Sequence, residues 1–321
     1  MNAHTGTIAL ALVVGLLAPA IHAQNYPSRP LRVLVPLAPG GGMDTVTRAL
    51  AQSLSESLGQ TVVVDNRPGA GSQIALEILS EAAPDGHTLM MLSATTVIYP
   101  LLYKSRFEIV RDFAPLSQVT AQGYALVVHP SLPAKSVPEL VKHARANPGK
   151  LNYSSSGIGS PIHMTTELFQ IATETKMTHV PYKGMGAAYA DLVGGRIDLS
   201  FATIISSQPH VRAGRLRVLA VTPPKRVPAL PDTPTLVEAG VPSAAVVNWY
   251  GLIAPKGTSK AVLDRVAAET IKAVQGPEMR KRLVADGSEG VGTRPAEFAA
   301  HISAEAKLWR RVIEHAGIRG Q

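Results

Sequence analysis

Cysteine is absent from this chain of 321 residues. That absence excludes disulfide bonds, thiolate metal sites and a cysteine nucleophile. Catalytic motifs are missing as well: the sequence contains no G-x-S-x-G, S-x-x-K or H-E-x-x-H, and its ten histidines are not spaced as pairs of metal ligands. We therefore predict a protein that is not an enzyme and that uses no cofactor or metal. A secreted hydrolase stays open as a less favoured alternative, because catalytic triads assemble in space and not in sequence.

Charged side chains are absent from residues 1–28. Residues 8–17 are continuously small or apolar, and a run of Ala-Pro-Ala-Ile-His-Ala follows and ends at Ala23. The apolar run is shorter than the ~20 residues that cross a bilayer, which favours a signal peptide over residues 1–23 rather than a permanent anchor. Cleavage is expected after Ala23, with Ala20 as the alternative. The mature protein is therefore expected to be exported and freely soluble.

The remaining composition is that of a globular protein, with 45% hydrophobic and 17% charged residues. This length suits two domains better than one. A formal net charge of +8 is compatible with an anionic small molecule, a membrane surface or nucleic acid. The basic clusters at 280–282 and 310–311 are short and lie in helical patterns, and an exported protein rarely meets DNA. We therefore expect no nucleic-acid partner.

Short β-branched runs alternate with amphipathic helical stretches from residue 31 onward, which predicts an α/β fold with mainly parallel sheets. The first series has strands at 31–35, 61–64 and 89–92. Its first helix begins near Asp44 as the N-cap and has an apolar face of Val46, Leu50, Leu54 and Leu58, and a second helix is predicted at 73–83. A second series starts with the run 124–129, a capping box follows at 136–139, and the strand 216–221 ends the series.

A strand at 246–253 follows, and only helices come after it. We predict a first lobe of residues 24–124 plus 248–321 and a second lobe of residues 125–247. The chain then crosses between the lobes twice, which predicts a hinge and a ligand cleft.

The loop after the first strand carries successive glycines. Ala38, Gly40, Gly41 and Gly42 lie where backbone N–H groups converge at a helix N-terminus, which favours anions. The loop lacks the Lys-Ser/Thr of a phosphate loop and the spacing of the dinucleotide fingerprint, so neither ATP nor NAD is supported. A tight structural turn is the alternative for this loop taken alone.

An equivalent loop follows a strand of the second series. Ser156, Gly159 and Ser160 again place hydroxyls and glycines between a strand and a helix. Open α/β sheets bind ligands beyond the carboxyl ends of their strands, where both loops lie. Ser93 and Thr95 offer hydroxyls at the end of the third strand. We predict that an anionic ligand is held between the two glycine loops.

Two polar residues beside these loops have competing interpretations. Asp44 either bonds the ligand or caps the helix, and capping is the commoner role. His163 either donates to an anion or is a satisfied structural histidine. The segments at 66–71 and 179–184 are ambiguous in the same way, and structural turns explain their proline and glycine.

Motifs along the whole mature chain resemble the tripartite tricarboxylate transporter receptor family, also called the Bug family of periplasmic solute-binding proteins. They are Tyr-Pro-Ser-Arg-Pro at 26–30, Ala-Pro-Gly-Gly-Gly at 38–42, Asp-Asn-Arg-Pro-Gly-Ala-Gly at 65–71, Pro-Asp-Gly at 84–86, Gly-Ile-Gly-Ser at 157–160, His-Val-Pro-Tyr-Lys-Gly at 179–184, Leu-Pro-Asp-Thr-Pro-Thr at 230–235 and Trp-Tyr-Gly-Leu at 249–252. Each motif is weak alone, but the ordered set is specific.

The resemblance implies a two-lobed periplasmic binding protein, type II-like, that closes on a small carboxylate and delivers it to a membrane transporter with two integral subunits. A monomeric receptor in the periplasm is expected. An orphan receptor that signals ligand occupancy to a membrane sensor is the alternative. The family often continues Phe-Asp after the strand at 197–201, whereas this chain has Ala202 and Thr203. Both residues are expected near the ligand, and the missing acid favours a plain carboxylate over an amino acid.

Overall fold

The computed structural model describes residues 26–285 and 288–320, so the predicted signal peptide lies outside the described residues. The strands are β1 Leu31–Val35, β2 Val62–Asn66, β3 Thr88–Ser93, β4 Phe113–Gln122, β5 Tyr124–Val128, β6 Asn152–Ser155, β7 Thr178–Pro181, β8 Leu199–Thr203, β9 Arg217–Val221, β10 Asn248–Pro255 and β11 Ser288–Gly290. The α-helices are α1 Gly42–Leu58, α2 Gln73–Ser80, α3 Ala94–Leu102, α4 Ile109–Asp112, α5 Val137–Ala146, α6 Pro161–Thr173, α7 Met185–Val193, α8 Ile204–Arg212, α9 Lys260–Gln275, α10 Pro277–Ala285 and α11 Pro295–Ala316. The alternation that the sequence predicts is confirmed.

Two mixed sheets organise these elements, and each forms the centre of a lobe. The sheet of the first lobe has the order β11-β4-β10-β3-β1-β2, in which β1 runs parallel to both β2 and β3. The sheet of the second lobe has the order β7-β6-β8-β5-β9, in which β6 runs parallel to both β7 and β8. Strand β10 in the first sheet and strand β5 in the second run antiparallel to their neighbours and come directly after the two crossings, and β11 at the edge of the first sheet is also antiparallel to its neighbour β4.

The chain leaves the first sheet at Gly123 and returns to it before Asn248. The first residue of β5 is bonded to the residue after β9: the Tyr124 N–H donates to Thr222 Oγ1 (3.0 Å), and the Thr222 N–H donates to the carbonyl oxygen of Tyr124 (2.9 Å). In the first sheet, Gln122 at the end of β4 is the Cα partner of Asn248 at the start of β10. The two crossings thus lie side by side. The exact lobe limits, 24–124 with 248–321 and 125–247, stay a prediction.

Helices cover both faces of the first sheet. The predicted apolar face of α1 is confirmed, because Val46, Leu50 and Leu54 are buried against α9 and α10. On the opposite face, α2, α3 and α11 share one apolar cluster with α6 of the second lobe. The lobes are therefore joined by packed side chains as well as by the crossings. No helix in the described ranges is long and apolar enough to cross a membrane.

Two helix starts differ from prediction. Helix α1 begins at Gly42 with Gly41 as its N-cap, so the prediction of Asp44 as the N-cap was wrong. Gly41 already has the extended backbone that an N-cap needs (φ −82°, ψ 170°), and Asp44 is the third helical residue. The end of the third strand is also the start of a helix: Ser93 is the N-cap of α3, and the polar run after it is helical.

Candidate functional site

The carboxyl ends of parallel strands place the predicted loops at one edge of each sheet. In the first lobe, β1 ends in the segment 36–42, the first glycine loop, and β3 ends at the start of α3. In the second lobe, β6 ends in the segment 156–160, the second glycine loop, and β8 ends at the start of α8. Both crossings leave from these same edges, since Gln122 ends β4 and Tyr124 pairs with Thr203. The two edges therefore face each other across the hinge.

A direct contact joins the second glycine loop to the first lobe. Gly159 lies so close to α3 that a Cβ on it would be 2.4 Å from Leu102 Cδ1. A side chain at this position would force Leu102 to move. Glycine is required here for a second reason, because its φ of +73° is in the left-handed region.

The first glycine loop is exposed and is held from behind by two side chains. The Gly40 N–H donates to Asp44 Oδ2 (2.9 Å). Asn66 Nδ2 donates both to the carbonyl oxygen of Leu37 (3.0 Å) and to Asp44 Oδ1 (3.0 Å). Gly41 and Gly42 lie at the start of α1, where backbone N–H groups have no partner within the helix. Ala38 is exposed on the same loop.

Asp44 supports this loop and is 4% exposed. Burial alone would raise the pKa of its carboxyl group, but hydrogen bonds from Arg48, the Gly40 N–H and Asn66 outweigh burial and lower the pKa. The group is thus an anion with both oxygens already accepting hydrogen bonds. The geometry favours the supporting role over direct contact with a ligand.

The second glycine loop is also bonded from behind. The Gly157 N–H donates to Ser155 Oγ (3.1 Å), which also contacts His179 Nε2 (2.7 Å). The Gly159 N–H donates to His163 Nδ1 (3.1 Å). Ser160 is the N-cap of α6, and its Oγ accepts the His163 N–H (3.3 Å). Ser156, half-buried, is the loop's first residue.

His163 is 4% exposed and belongs to a stack of rings. Its imidazole lies parallel to that of His179, with 3.9 Å between ring centroids, and Tyr153 stacks on His179 at 4.8 Å. Burial, with a smaller contribution from His179, lowers the pKa of His163 to about 3, and burial lowers the pKa of His179 to about 4. Both rings are neutral at pH 7. Because its Nδ1 already accepts the Gly159 N–H, the ring has a structural role in the loop, and its contact with a ligand stays a prediction.

The remaining predicted site residues, at the ends of β3 and β8, differ in how deeply they are buried. Ser93 is buried, whereas Thr95 is half-buried in the first turn of α3 at the cleft edge. Thr203 is half-buried at the end of β8, and its Oγ1 lies 2.6 Å from Ser206 Oγ. Ala202 is 0% exposed inside the apolar core of the second lobe. Its prediction as a ligand contact stays a prediction.

Several supporting residues were missed or left as turns. Asn66 had been interpreted as part of a turn, and Ser155 and His179 had no assigned role, yet all three bond the two glycine loops. Tyr182, in the segment 179–184, donates from its hydroxyl to Asp191 Oδ2 (2.6 Å). Sequence spacing could not reveal the roles of Asn66 and His179, because each bonds a segment from a different part of the chain.

Comparison with known proteins identifies the family. The model for the tripartite tricarboxylate transporter family receptor matches residues 46–318. The chain belongs to this receptor family. A relative from Pseudomonas sp. strain P51, the UPF0065 protein of the tcbD-tcbE intergenic region, is 37% identical over 290 residues, which are 90% of this chain and 86% of the relative.

Two solved structures of receptors extend the comparison. R. palustris Rpa4515 with adipate is 34% identical, with a TM-score of 0.78, and the match covers 92% of this chain and 99% of that one. MatC from Rhodopseudomonas palustris with bound malate is 30% identical, with a TM-score of 0.73, and the match covers 90% and 100% of the two chains.

These similarities confirm three predictions from the sequence. The resemblance to the receptor family is correct, and the two-lobed periplasmic binding fold of the α/β class is confirmed. The prediction that the chain is not an enzyme is confirmed as well, because the family consists of solute-binding receptors. Family members are periplasmic binding proteins that take small carboxylates as ligands.

Proposed function

We propose that this receptor captures a small dicarboxylate between its two glycine loops and delivers it to a tripartite tricarboxylate-type transporter. The observation that carries the proposal is the pair of loops at facing sheet edges, each at the N-terminus of a helix. Free N–H groups and the helix dipole favour an anion at both places. A ligand bound to both loops would stabilise the closed arrangement of the lobes.

The proposed ligand class has two supports. One relative binds adipate and another binds malate, and both ligands are dicarboxylates. In addition, Thr203 at the end of β8 and Ser206 in the first turn of α8 offer hydroxyl groups and no negative charge. An ammonium group would lack an acidic partner there, so an amino acid is a poorer ligand than a plain dicarboxylate.

The transporter partner and the location are parts of the same proposal. The family description supports delivery to integral membrane subunits, and the apolar segment 8–17 supports export to the periplasm. The receptor is expected to act as a monomer. Sensing by an orphan receptor is the second candidate, and neighbouring genes for the integral subunits would favour uptake over sensing.

Thermal-shift screening followed by calorimetry tests the ligand class. Adipate and malate should raise the unfolding temperature, since a ligand that binds only the folded state adds about 2.7 kcal/mol at a hundredfold excess over Kd. Aspartate and glutamate should give smaller shifts. Tight binding of an amino acid without binding of adipate or malate would contradict the proposed class.

A substitution in the first glycine loop tests where the ligand binds. Gly41 is exposed and has an extended backbone that accepts a side chain, and a Cβ there would lie 3.9 Å from the carbonyl oxygen of Ala38, an ordinary contact. Gly41→Asp should abolish dicarboxylate binding by charge repulsion, whereas the isosteric Gly41→Asn should retain part of it. Equal affinities of the two variants would show that the ligand does not approach this loop.

A further inference from the structure

The two glycine loops share one hydrogen-bond arrangement. In α1, the side chain of the third helical residue, Asp44, accepts the N–H of Gly40, the residue before the N-cap. In α6, the side chain of the third helical residue, His163, accepts the N–H of Gly159, again the residue before the N-cap. The acceptor is a carboxylate in the first lobe and a neutral imidazole in the second. This arrangement differs from a capping box, where the third residue accepts the N–H of the N-cap itself.

The tautomer of His163 follows from this bond. A ring nitrogen that accepts a hydrogen bond carries no proton, so the neutral ring has its proton on Nε2. Nε2 lies 3.8 Å from Glu167 Oε1, too far for a hydrogen bond. The contact to Gly159 is therefore the one hydrogen bond recorded for this ring among the described residues, and burial fixes the ring in place.

Some backbone N–H groups of the second glycine loop are hydrogen-bonded within the protein and others are not. The Gly157 N–H is taken by Ser155 Oγ, the Gly159 N–H by His163 Nδ1 and the Ser160 N–H by the carbonyl oxygen of Gly157 (3.1 Å). Over the described residues, no hydrogen bond occupies the N–H groups of Ser156 and Ile158. Gly159 had been predicted as a ligand contact, but its N–H faces the interior.

We infer that His163 is a positioning residue of the ligand site: by accepting the Gly159 N–H, its Nδ1 fixes the loop so that the N–H groups of Ser156 and Ile158 are those that meet the ligand carboxylate. The inference rests on the proposed function for the identity of the ligand. The positioning itself belongs to the unliganded protein. His179 supports the arrangement through Ser155 and through the ring stack.

Two substitutions separate the acceptor from the packing. Asn Oδ1 occupies the place of His Nδ1 on the side chain, so His163→Asn keeps the acceptor but loses most of the ring. His163→Leu keeps apolar volume in the ring stack but loses the acceptor. Positioning by Nδ1 predicts that His163→Asn binds ligand better than His163→Leu, whereas a purely packing role predicts the reverse order.

The chain also offers a matched control. Glu139 is the third residue of α5, and its Oε2 accepts the N–H of Lys135 (2.8 Å), again the residue before the N-cap. Helix α5 precedes β6 and its start is exposed, away from the glycine loops. Glu139→Leu removes the same kind of hydrogen bond and should leave ligand affinity unchanged.

The experiment has one readout without ligand and one with it. In the unliganded protein, amide exchange at residues 156–160 should accelerate in His163→Leu and stay near the wild-type rate in His163→Asn. Calorimetry with adipate and malate should then show affinity about tenfold lower in His163→Leu, the equivalent of one lost hydrogen bond, and at most about threefold lower in His163→Asn.

The outcomes are distinguishable. Unchanged exchange in His163→Leu, or His163→Leu binding better than His163→Asn, would overturn the positioning role. If the wild type binds neither adipate nor malate while exchange still separates the two variants, the positioning role stands and the proposed ligand class fails.

Discussion

At the scale of single residues, the two glycine loops differ in the charge of the group behind them. Asp44 is a buried anion beside an N-terminus that is proposed to bind an anion, and Arg48 balances it with a side chain that is 54% exposed. His163 is neutral and adds no such repulsion. The electrostatic attraction of a ligand carboxylate should therefore be stronger at the second glycine loop than at the first.

The stacked histidines predict how stability depends on pH. Their pKa values in the folded protein, about 3 for His163 and about 4 for His179, lie below the ordinary value of 6.5. Between pH 6.5 and these values the unfolded chain binds more protons than the folded protein does. The free energy of unfolding therefore falls as pH drops from 6.5 toward these values. Above pH 6.5 both states are neutral and the effect vanishes.

Comparison with His163→Asn isolates the contribution of one ring. Urea unfolding at pH 7, 5 and 4 should show the wild type losing up to about 1.4 kcal/mol more per pH unit below 6.5 than the variant. Burial raises the pKa of Glu167, which lowers stability as pH rises above the ordinary pKa of a glutamate. This effect opposes that of the histidines, but it is present in the wild type and in His163→Asn alike. Parallel pH profiles would contradict a buried, neutral His163.

At the scale of the elements, the left-handed glycines of the second lobe allow a matched pair of substitutions. Gly159 and Gly149 have φ angles of +73° and +74°, so alanine should cost each about 1 kcal/mol of backbone strain. A Cβ on Gly149 would meet nothing within 4 Å, whereas one on Gly159 would displace Leu102.

Both variants should therefore lose similar stability in urea unfolding, with Leu102 able to rotate away. Only Gly159→Ala should weaken dicarboxylate binding, because it disturbs the contact between the second glycine loop and α3. The measurement is calorimetry on both proteins. Equal affinities would show that this contact plays no part in ligand capture.

The elements that the sequence predicts well are those with strong local signals. The Ser136 cap is confirmed, since its hydroxyl accepts the Glu139 N–H (3.3 Å), and the carboxylate of Glu139 accepts the N–H of Lys135 (2.8 Å). Strand β4 was missed because most of Phe113–Gln122 is buried, so the run lacks the alternation of a half-exposed strand. Strand β11 has three residues and pairs with β4, 166 positions away in sequence at Ser288 and Gln122.

The site, like the fold, could be predicted from sequence only where the signal is local. The sequence could place the glycine loops after their strands, because glycine spacing is local information. It could not decide whether Asp44 and His163 contact the ligand or have a structural role. That choice depends on how deeply each side chain is buried and on which atoms it bonds. The sequence does not predict helix α3, since Thr95 and Thr96 in its first turn have β-branched side chains, which are weak helix formers. Tertiary packing overrides that preference.

At the scale of the whole molecule, the hinge is tightly packed at Gly123. A Cβ on this residue would lie 2.4 Å and 2.6 Å from ring atoms of Pro223 and 3.0 Å from Ile204. Gly123 belongs to the outgoing crossing, and Pro223 follows β9 in the second lobe, where Val221 pairs with Thr235. Close approach of the outgoing crossing to the second lobe therefore depends on glycine at this position.

Gly123→Ala should force the outgoing crossing away from the second lobe, and small-angle scattering should show a changed lobe arrangement together with lower stability. Because the proline ring is the rigid obstacle, Pro223→Ala in the same chain should restore part of both properties. The quantity to compare is the effect of the double variant minus the sum of the effects of the two single variants. Purely additive effects would show that the close contact does not set the lobe arrangement.

The placement of the two tryptophans has a consequence for observing closure. Trp249 lies just after the returning crossing and packs against Phe298 and His301, and Trp309 donates from Nε1 to Glu305 Oε2 (2.6 Å) on α11. The sequence has no other tryptophan. Tryptophan fluorescence of the unlabelled protein therefore reports on the first lobe and the hinge, because the second lobe contains no tryptophan. Ligand-induced closure can thus be followed by tryptophan emission without a label.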